Sequence, residues 1–163
     1  MSKIHAIALH RFAAPPEAVY DAWLVPTAIR TWMQVALRAT GLAGDIQRVE
    51  VDAVAGGGFF FSDRRGEVEA RHWGKYLELD RPRRIVFTWI TEESEEADPS
   101  VVTLTIEPDG DGCVATIDHE MDDAWLEYKE RVEQGWGRML RAIASAGPSA
   151  ESRYRATDGD ERT

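Results

Sequence analysis

The hydrophobic pattern is strongest near the end of the chain, where apolar and small residues recur at helical spacing. The stripe runs from about Asp123 to Ala146 and consists of Tyr128, Val132, Gly135, Trp136, Met139, Leu140 and Ile143. Residues three and four positions apart share one face of an α-helix, and a long apolar face needs a broad surface to pack on. The spacing therefore predicts a long helix over residues 123–146.

The region before this helix alternates between apolar and polar residues with a period of two. Val49 and Val51 alternate with Arg48, Glu50 and Asp52, as expected for a strand with one buried face. The same pattern, with turn residues between the segments, predicts strands over residues 46–53, 59–61, 67–79, 83–91, 101–107 and 113–121. Short connections rich in glycine, proline and acidic residues favour antiparallel pairing of these strands.

The first forty residues predict one strand and two short helices. The strand covers residues 3–12, and Pro16 or Glu17 then opens a helix whose buried face contains Val19, Tyr20, Trp23 and Leu24. Pro26 interrupts this helix, and Thr27 is expected to cap a second one that carries Ile29, Trp32 and Met33. The complete order is one strand, two helices, several antiparallel strands and a long helix, which is an α+β arrangement.

Length and composition limit this arrangement to one domain. The chain has 163 residues, of which 44% are hydrophobic, and this suffices for one well-filled core. The final segment, GPSAESRYRATDGDERT, has too little apolar surface to offset the entropy of ordering. We therefore expect a folded domain over residues 1–146 and a disordered polar tail over residues 147–163.

Charge and cysteine content argue against several classes of function. A net charge of −10 opposes binding to nucleic acid or to anionic membranes, and no apolar stretch approaches the roughly 18 residues of a membrane span. The single cysteine, Cys113, excludes an internal disulfide framework. His10 and Arg11 break the apolar run at the N-terminus before a signal peptide could form. These features are typical of a soluble protein in a reducing cytoplasm.

Four segments of the chain resemble one known family. They are residues 14–23 (APPEAVYDAW), the Gly-Gly bend in residues 52–57 (DAVAGG), the hairpin of residues 74–89, and Gly135-Trp136 with Leu140. Together they are similar to the START-like (SRPBCC) superfamily, in particular to its branch similar to the activator of heat-shock-protein-90 ATPase. The resemblance implies a helix-grip fold, in which a curved antiparallel sheet wraps around a long C-terminal helix and encloses a hydrophobic cavity.

Alternation along the strands indicates which side chains face such a cavity. On residues 67–79, the inward face carries Val68, Ala70, His72, Gly74 and Tyr76. The same reasoning places inward Val102, Leu104, Ile106, Ala115, Ile117, His119 and Met121. With the aromatic and helical residues added, the candidate ligand-binding residues are Trp32, Met33, Phe59, Phe61, His72, Tyr76, Trp89, Leu104, Ile117, His119, Trp136, Met139 and Leu140.

Three classes of function are open at this point. The leading one is binding of a small apolar or amphipathic molecule in the cavity. The first alternative is an enzyme on the same fold, a polyketide cyclase or hydrolase-like catalyst in which His72, His119 or Tyr76 moves protons. The second is a stress-related, co-chaperone-like module that binds another protein. The lack of a catalytic signature favours binding over catalysis.

The sequence predicts no metal and no cofactor. The glycines of residues 56–58 lead into a strand and lack the Gly-Lys-Ser/Thr of a phosphate-binding loop. The Asp-Gly-Asp of residues 109–111 lacks the further ligands of a calcium loop, and Cys113 with His119 lacks the partners of a zinc site. The expected partner is a small ligand, and a second copy of the chain, as in a homodimer, is a further candidate.

Overall fold

The computed structural model describes the backbone of residues 2–162 and the side chains of residues 2–146. The strands are β1 Lys3–Phe12, β2 Asp45–Val51, β3 Gly58–Arg65, β4 Val68–Asp80, β5 Arg84–Trp89, β6 Ser100–Asp109 and β7 Gly112–Asp122. The helices are α1 Pro16–Ala22, α2 Pro26–Ala39 and α3 Lys129–Arg162. The prediction of a disordered tail over residues 147–163 lies outside the residues whose side chains are described.

The seven strands form one antiparallel sheet in the order β1-β7-β6-β5-β4-β3-β2, with β1 and β2 at its edges. Short turns join β2 to β3, β3 to β4, β4 to β5 and β6 to β7, whereas a longer segment with the 3₁₀-helix Glu93–Glu95 joins β5 to β6. Gly56 and Gly110 adopt positive φ in two of these turns, a conformation that a residue without a Cβ adopts readily. The predicted α+β class and the helix-grip arrangement are confirmed, because α1 and α2 follow β1 and the long helix α3 follows β7.

Helix α2 begins earlier than the sequence predicts, and it begins without a side-chain cap. Pro26 occupies its first turn, where the fixed φ of proline suits a helix and its missing N–H is not needed. Val25 precedes the helix and makes no capping hydrogen bond. The cap predicted at Thr27 is therefore wrong. Thr27 lies inside the helix, where its backbone carbonyl accepts a hydrogen bond from the Thr31 hydroxyl.

The predicted long helix is present, although it opens with a different conformation. Residues Asp123–Tyr128 form a 3₁₀-helix, and the α-helix begins at Lys129. Asp122 caps the 3₁₀-helix, because its carboxylate accepts the backbone N–H of Ala124 at 2.9 Å. Tyr128 is 38% exposed and lies outside the core, so the buried stripe starts one helical turn later than the pattern indicates.

The helices cover the inner face of the sheet unevenly. α3 packs against β1, α1 and α2, while α1 also contacts β6 and β7. α2 packs against β2 at the opposite edge. The inner faces of β3, β4 and β5 therefore lie between α2 and α3 instead of directly beneath one helix. This gap between the two helices provides space for a cavity.

Strand β4 keeps the predicted alternation as far as Tyr76, and His72, Gly74 and Tyr76 face inward. The register with β5 then shifts between Tyr76 and Glu78, which is a β-bulge. The predicted inward position of Val68 is wrong. Val68 is 67% exposed, because it lies next to the turn that joins β3 and β4, beyond the part of the sheet that the helices cover.

Candidate ligand cavity

A cavity of about 100 Å³ lies between α2, α3 and the inner faces of β3, β4 and β5. Its strand residues come together because inward side chains recur at every second position, and its helix residues because one face of each helix points to the gap. Nine of the thirteen candidate residues line this cavity, namely Trp32, Met33, Phe59, Phe61, His72, Tyr76, Trp89, Trp136 and Met139.

The other four candidate residues lie elsewhere. Leu104, Ile117 and Leu140 are fully buried in the closed core and do not reach the cavity wall. β6 and β7 carry two of them, and α1 packs against these strands and leaves no gap there. His119 is also buried. It contacts the Trp136 indole on the side away from the cavity, and it lines a separate surface groove.

Eight residues outside the candidate set also line the cavity, namely Trp23, Leu24, Ala36, Leu37, Asp63, Arg65, Ile85 and Phe87. Asp63 and Arg65 continue the alternation of Phe59 and Phe61, so period two alone would place them inward. A search for apolar positions passes over them because charged residues are rarely buried. Trp23 belongs to the predicted buried face of α1, but the sequence does not show that this face reaches the cavity.

Aromatic rings in mutual contact form most of the cavity wall. The ring centroids of Trp23 and Trp32 are 5.3 Å apart, and those of Trp89 and Trp136 are 5.1 Å apart. Phe59 stacks on Trp89 with centroids 6.1 Å apart. These separations are typical of favourable aromatic pairs, which stabilise one another beyond the area that they bury. The wall therefore consists of flat apolar surfaces held in place by their neighbours.

The indole N–H groups of the buried tryptophans are used differently. Trp32 Nε1 donates to the backbone carbonyl of Ala22 at 2.8 Å, and Trp136 Nε1 donates to Nδ1 of His119 at 3.0 Å. Trp23 Nε1 is buried and has no hydrogen-bond partner among the described residues. A buried donor without an acceptor costs about 1–3 kcal/mol. Because this N–H is fully enclosed, a bound molecule can supply its hydrogen bond only after a small movement of the lining side chains.

One charged pair lines the cavity. Arg65 Nε and Nη2 donate to the two carboxylate oxygens of Asp63 at 2.8 and 3.3 Å, which is a bidentate arrangement. The Asp63 side chain is 2% exposed, whereas that of Arg65 is 39% exposed and reaches solvent. Because the two charges compensate each other, the pair gives the cavity no net charge. Arg65 marks the solvent side of the cavity.

His72 and Tyr76 bring neutral polar groups to the wall. Burial, followed by the positive charge of Arg65, lowers the pKa of His72 to about 4, while Asp63 acts in the opposite direction. Burial raises the pKa of Tyr76. Both side chains are therefore neutral near pH 7. Neither makes a hydrogen bond among the described residues, so both can form one with a bound molecule.

His119 belongs to a closed hydrogen-bond network. Trp136 can only donate, so Nδ1 of His119 is the acceptor and the proton of the neutral imidazole is on Nε2. Nε2 then donates to the Ser100 hydroxyl at 2.8 Å, and this hydroxyl donates to the Trp89 carbonyl at 3.1 Å. Since Trp136 occupies the ring's lone pair, His119 cannot act as a base toward Ser100. The arrangement assigns His119 a structural role that ties α3 to the sheet.

The remaining polar chemistry of the described residues is limited. No group of three or more His, Cys, Asp or Glu side chains in that part of the chain is placed to hold a metal ion. No helix within it is long and apolar enough to cross a membrane. The polar side chains at the cavity are those of Asp63, Arg65, His72 and Tyr76 and the indoles of Trp23 and Trp89, together with the indoles of Trp32 and Trp136, which are paired within the protein.

The sheet, the long helix and the cavity between them define a helix-grip protein of the START-like superfamily. Residues 13–147 match the family described as Activator of Hsp90 ATPase homolog 1-like protein, and the chain belongs to this family. The resemblance inferred from the sequence is thus confirmed. No functionally curated protein matches the chain.

Solved structures of bacterial proteins share this fold. Protein CV1439 from Chromobacterium violaceum is 25% identical with a TM-score of 0.67, and the match covers 89% of this chain and 96% of that one. Mll3558 from Rhizobium loti is 23% identical with a TM-score of 0.62, covering 89% and 99%. NE0264 from Nitrosomonas europaea is 16% identical with a TM-score of 0.69, covering 87% and 92%. At these identities the similarity concerns the fold.

Proposed function

We propose that the chain binds a small apolar or amphipathic molecule in the cavity, and that it sequesters or senses this molecule in the cytoplasm. The observation that carries the proposal is the lining, in which eight aromatic side chains surround a space that the core does not fill. Apolar surface in contact with water lowers the stability of a protein, and the wall of this space of about 100 Å³ is such a surface. Binding of a ligand would offset that loss.

The composition of the wall supports this class of ligand. Ligand pockets are mostly apolar and aromatic, with a small number of polar groups that fix orientation. The cavity has this composition, and six of its lining residues are partly exposed, so a ligand can enter on the side where they reach solvent. They are Leu24, Leu37, Arg65, His72, Trp89 and Met139. An amphipathic molecule can place its apolar part against the rings and its polar part toward that side.

Filling the cavity tests the proposal. Ala36 lies on α2, is buried and lines the cavity, so the ring of Ala36→Phe will occupy the space that a ligand needs. We expect this variant to fold and to bind apolar ligands at least about tenfold more weakly. Because four tryptophans line the cavity, titration with fatty acids, flavonoids and polyketide-like aromatics can be followed by indole fluorescence.

The matched control is Val35→Phe. Val35 is the neighbouring residue on the same helix, is exposed and does not line the cavity, so its replacement should leave binding unchanged. The proposal fails if the wild-type protein binds neither a member of this panel nor a single-ring aromatic compound such as acetophenone. It also fails if Ala36→Phe binds the same compounds as tightly as Val35→Phe does.

One observation favours a second function, catalysis on the bound molecule. His72 lines the cavity, is neutral near pH 7 and has a free ring lone pair, so it can accept a proton from a ligand. A cyclase or hydrolase-like enzyme should then lose turnover of a polyketide-like substrate in His72→Gln while it still binds that substrate. If bound compounds are recovered unchanged after long incubation with the wild-type protein, binding alone remains.

A further inference from the structure

The cavity contains hydrogen-bond donors that the protein does not satisfy. Tyr76 is 3% exposed, lines the cavity and makes no hydrogen bond among the described residues. Trp23 is 7% exposed and lines the same cavity, and its Nε1 has no acceptor in that part of the chain. Trp32 and Trp136, by contrast, both donate to protein acceptors. Buried donors are normally paired, and the Tyr76 hydroxyl, which is not fully enclosed, is the one that a ligand acceptor can reach directly. Nε1 of Trp23 is fully enclosed, so an acceptor reaches it only after a small movement of the wall.

The charges at the cavity favour a neutral ligand. Asp63 and Arg65 are the charged lining residues that the structure describes, and their charges compensate each other through two hydrogen bonds. His72 adds a neutral imidazole. Moving a carboxylate or an ammonium group from water into such a site is costly, because no uncompensated charge is present to pair with it.

The volume and shape of the cavity set the size of the ligand. An apolar cavity on the order of 150 Å³ holds one benzene molecule, and the space here is about 100 Å³. The planes of Phe59 and His72 each lie at 25° to that of Trp89, so the nearby wall is made of nearly parallel rings. A single flat ring fits such a space, with small movements of the lining side chains, whereas a long acyl chain does not.

We propose, on the basis of the binding function put forward above, that the cavity selects a neutral single-ring aromatic compound with a hydrogen-bond-accepting oxygen. An aryl ketone, an aryl ester or a phenol has this chemistry. The ring contacts the aromatic walls, and the oxygen accepts the hydrogen bond of the Tyr76 hydroxyl and, after a small movement of the wall, that of the Trp23 indole. The substitution Tyr76→Phe tests this most directly, because it removes the hydroxyl donor and leaves the ring unchanged.

Compounds of nearly equal shape provide the first measurement. Acetophenone has the ring and the acceptor oxygen, ethylbenzene lacks the oxygen, and benzoate and benzylamine carry a negative and a positive charge. We expect calorimetric titration of the wild-type protein to give a dissociation constant for acetophenone about tenfold lower than that for ethylbenzene. Benzoate, benzylamine and palmitate should bind more weakly than acetophenone.

Variants provide the second measurement. In Tyr76→Phe, and again in Trp23→Phe, the preference for acetophenone over ethylbenzene should fall at least about threefold. Tyr128→Phe and Trp125→Phe are matched controls, because both residues are exposed and lie outside the cavity, and their preference should equal that of the wild type. The ratio of two ligands measured on one variant cancels any general change in folding.

The outcomes separate this inference from the binding function. If ethylbenzene, benzoate, benzylamine or palmitate binds as tightly as acetophenone and Ala36→Phe abolishes that binding, the binding function stands and the inference is overturned. An unchanged preference in both Tyr76→Phe and Trp23→Phe also overturns it. If no compound of either panel binds to the wild-type protein, both the inference and the binding function fail.

Discussion

Two inward-facing histidines share the effect of burial but differ in their hydrogen bonds. Burial is the main cause that lowers the pKa of both His72 and His119 to about 4. His119 uses both ring nitrogens within the protein, whereas His72 uses neither among the described residues. Alternation along β4 and β7 predicts that both face inward, but it carries no information on their partners. One histidine is therefore structural, and the other is available to a ligand.

We expect the protein to lose stability as the pH falls from 6.5 toward 4. In the unfolded chain the two histidines bind protons near their ordinary pKa of 6.5, whereas in the native protein they do so only near 4. Between these values the unfolded state carries more protons, so the free energy of unfolding decreases by up to roughly 3 kcal/mol per histidine. Urea denaturation across this pH range measures the decrease.

The variant His119→Gln isolates the contribution of one histidine. Glutamine does not titrate, so the decrease in stability across the same pH range should be smaller than in the wild-type protein. Nuclear magnetic resonance titration gives an independent reading of the native imidazole. If His119 titrates near pH 6.5 in the folded protein, the explanation is wrong.

Gly74 in β4 and Gly135 in α3 have very different surroundings. A Cβ on Gly74 would lie 2.0 Å from the carbonyl oxygen of Thr88 and 2.9 Å from the ring of Phe59, so β4 and β5 can pair closely only with glycine there. A Cβ on Gly135 in α3 would have no heavy atom within 4 Å among the described neighbours. The first glycine is required by packing and the second is not.

These surroundings predict opposite effects for the same substitution. Gly74→Ala should lower the free energy of unfolding by about 2 kcal/mol or more, because the strands or the Phe59 ring must move. Gly135→Ala should raise it by about 0.5–1 kcal/mol, because alanine restricts the unfolded chain and favours the helix. Urea denaturation of both variants measures the changes, and equal effects of the two would contradict the packing described here.

The sequence predicts best those elements whose hydrophobic pattern arises from neighbouring residues. The alternation of Phe59 and Phe61 and the spacing of Trp136 and Leu140 are properties of neighbouring residues, so the strands, the long helix and their inward faces follow from them. The start of α2 at Pro26 and the 3₁₀-helix before α3 each depend on the backbone conformation of one or two residues. Patterns of hydrophobicity do not distinguish between such conformations.

At the scale of the whole molecule, the cavity depends on where the helices lie across the sheet. Leu104 and Phe87 both belong to inward-facing strand positions, yet one is in the closed core and the other lines the cavity. The difference arises because α1 packs on β6 and β7, whereas β3, β4 and β5 lie between α2 and α3. A sequence pattern shows that a residue is buried, but not whether its neighbour is another side chain or open space.

The same substitution should have different costs on the two sides of the core. Ala115 on β7 is fully buried and does not line the cavity, so Ala115→Phe must force an additional ring into closely packed side chains. We expect it to lower the free energy of unfolding by about 3 kcal/mol or more, whereas Ala36→Phe should cost less than about 1 kcal/mol because its ring enters existing space. Denaturation of both variants in urea provides the comparison. Equal destabilisation by the two would mean that the space beside Ala36 is not available in solution, and the binding function would lose its structural basis.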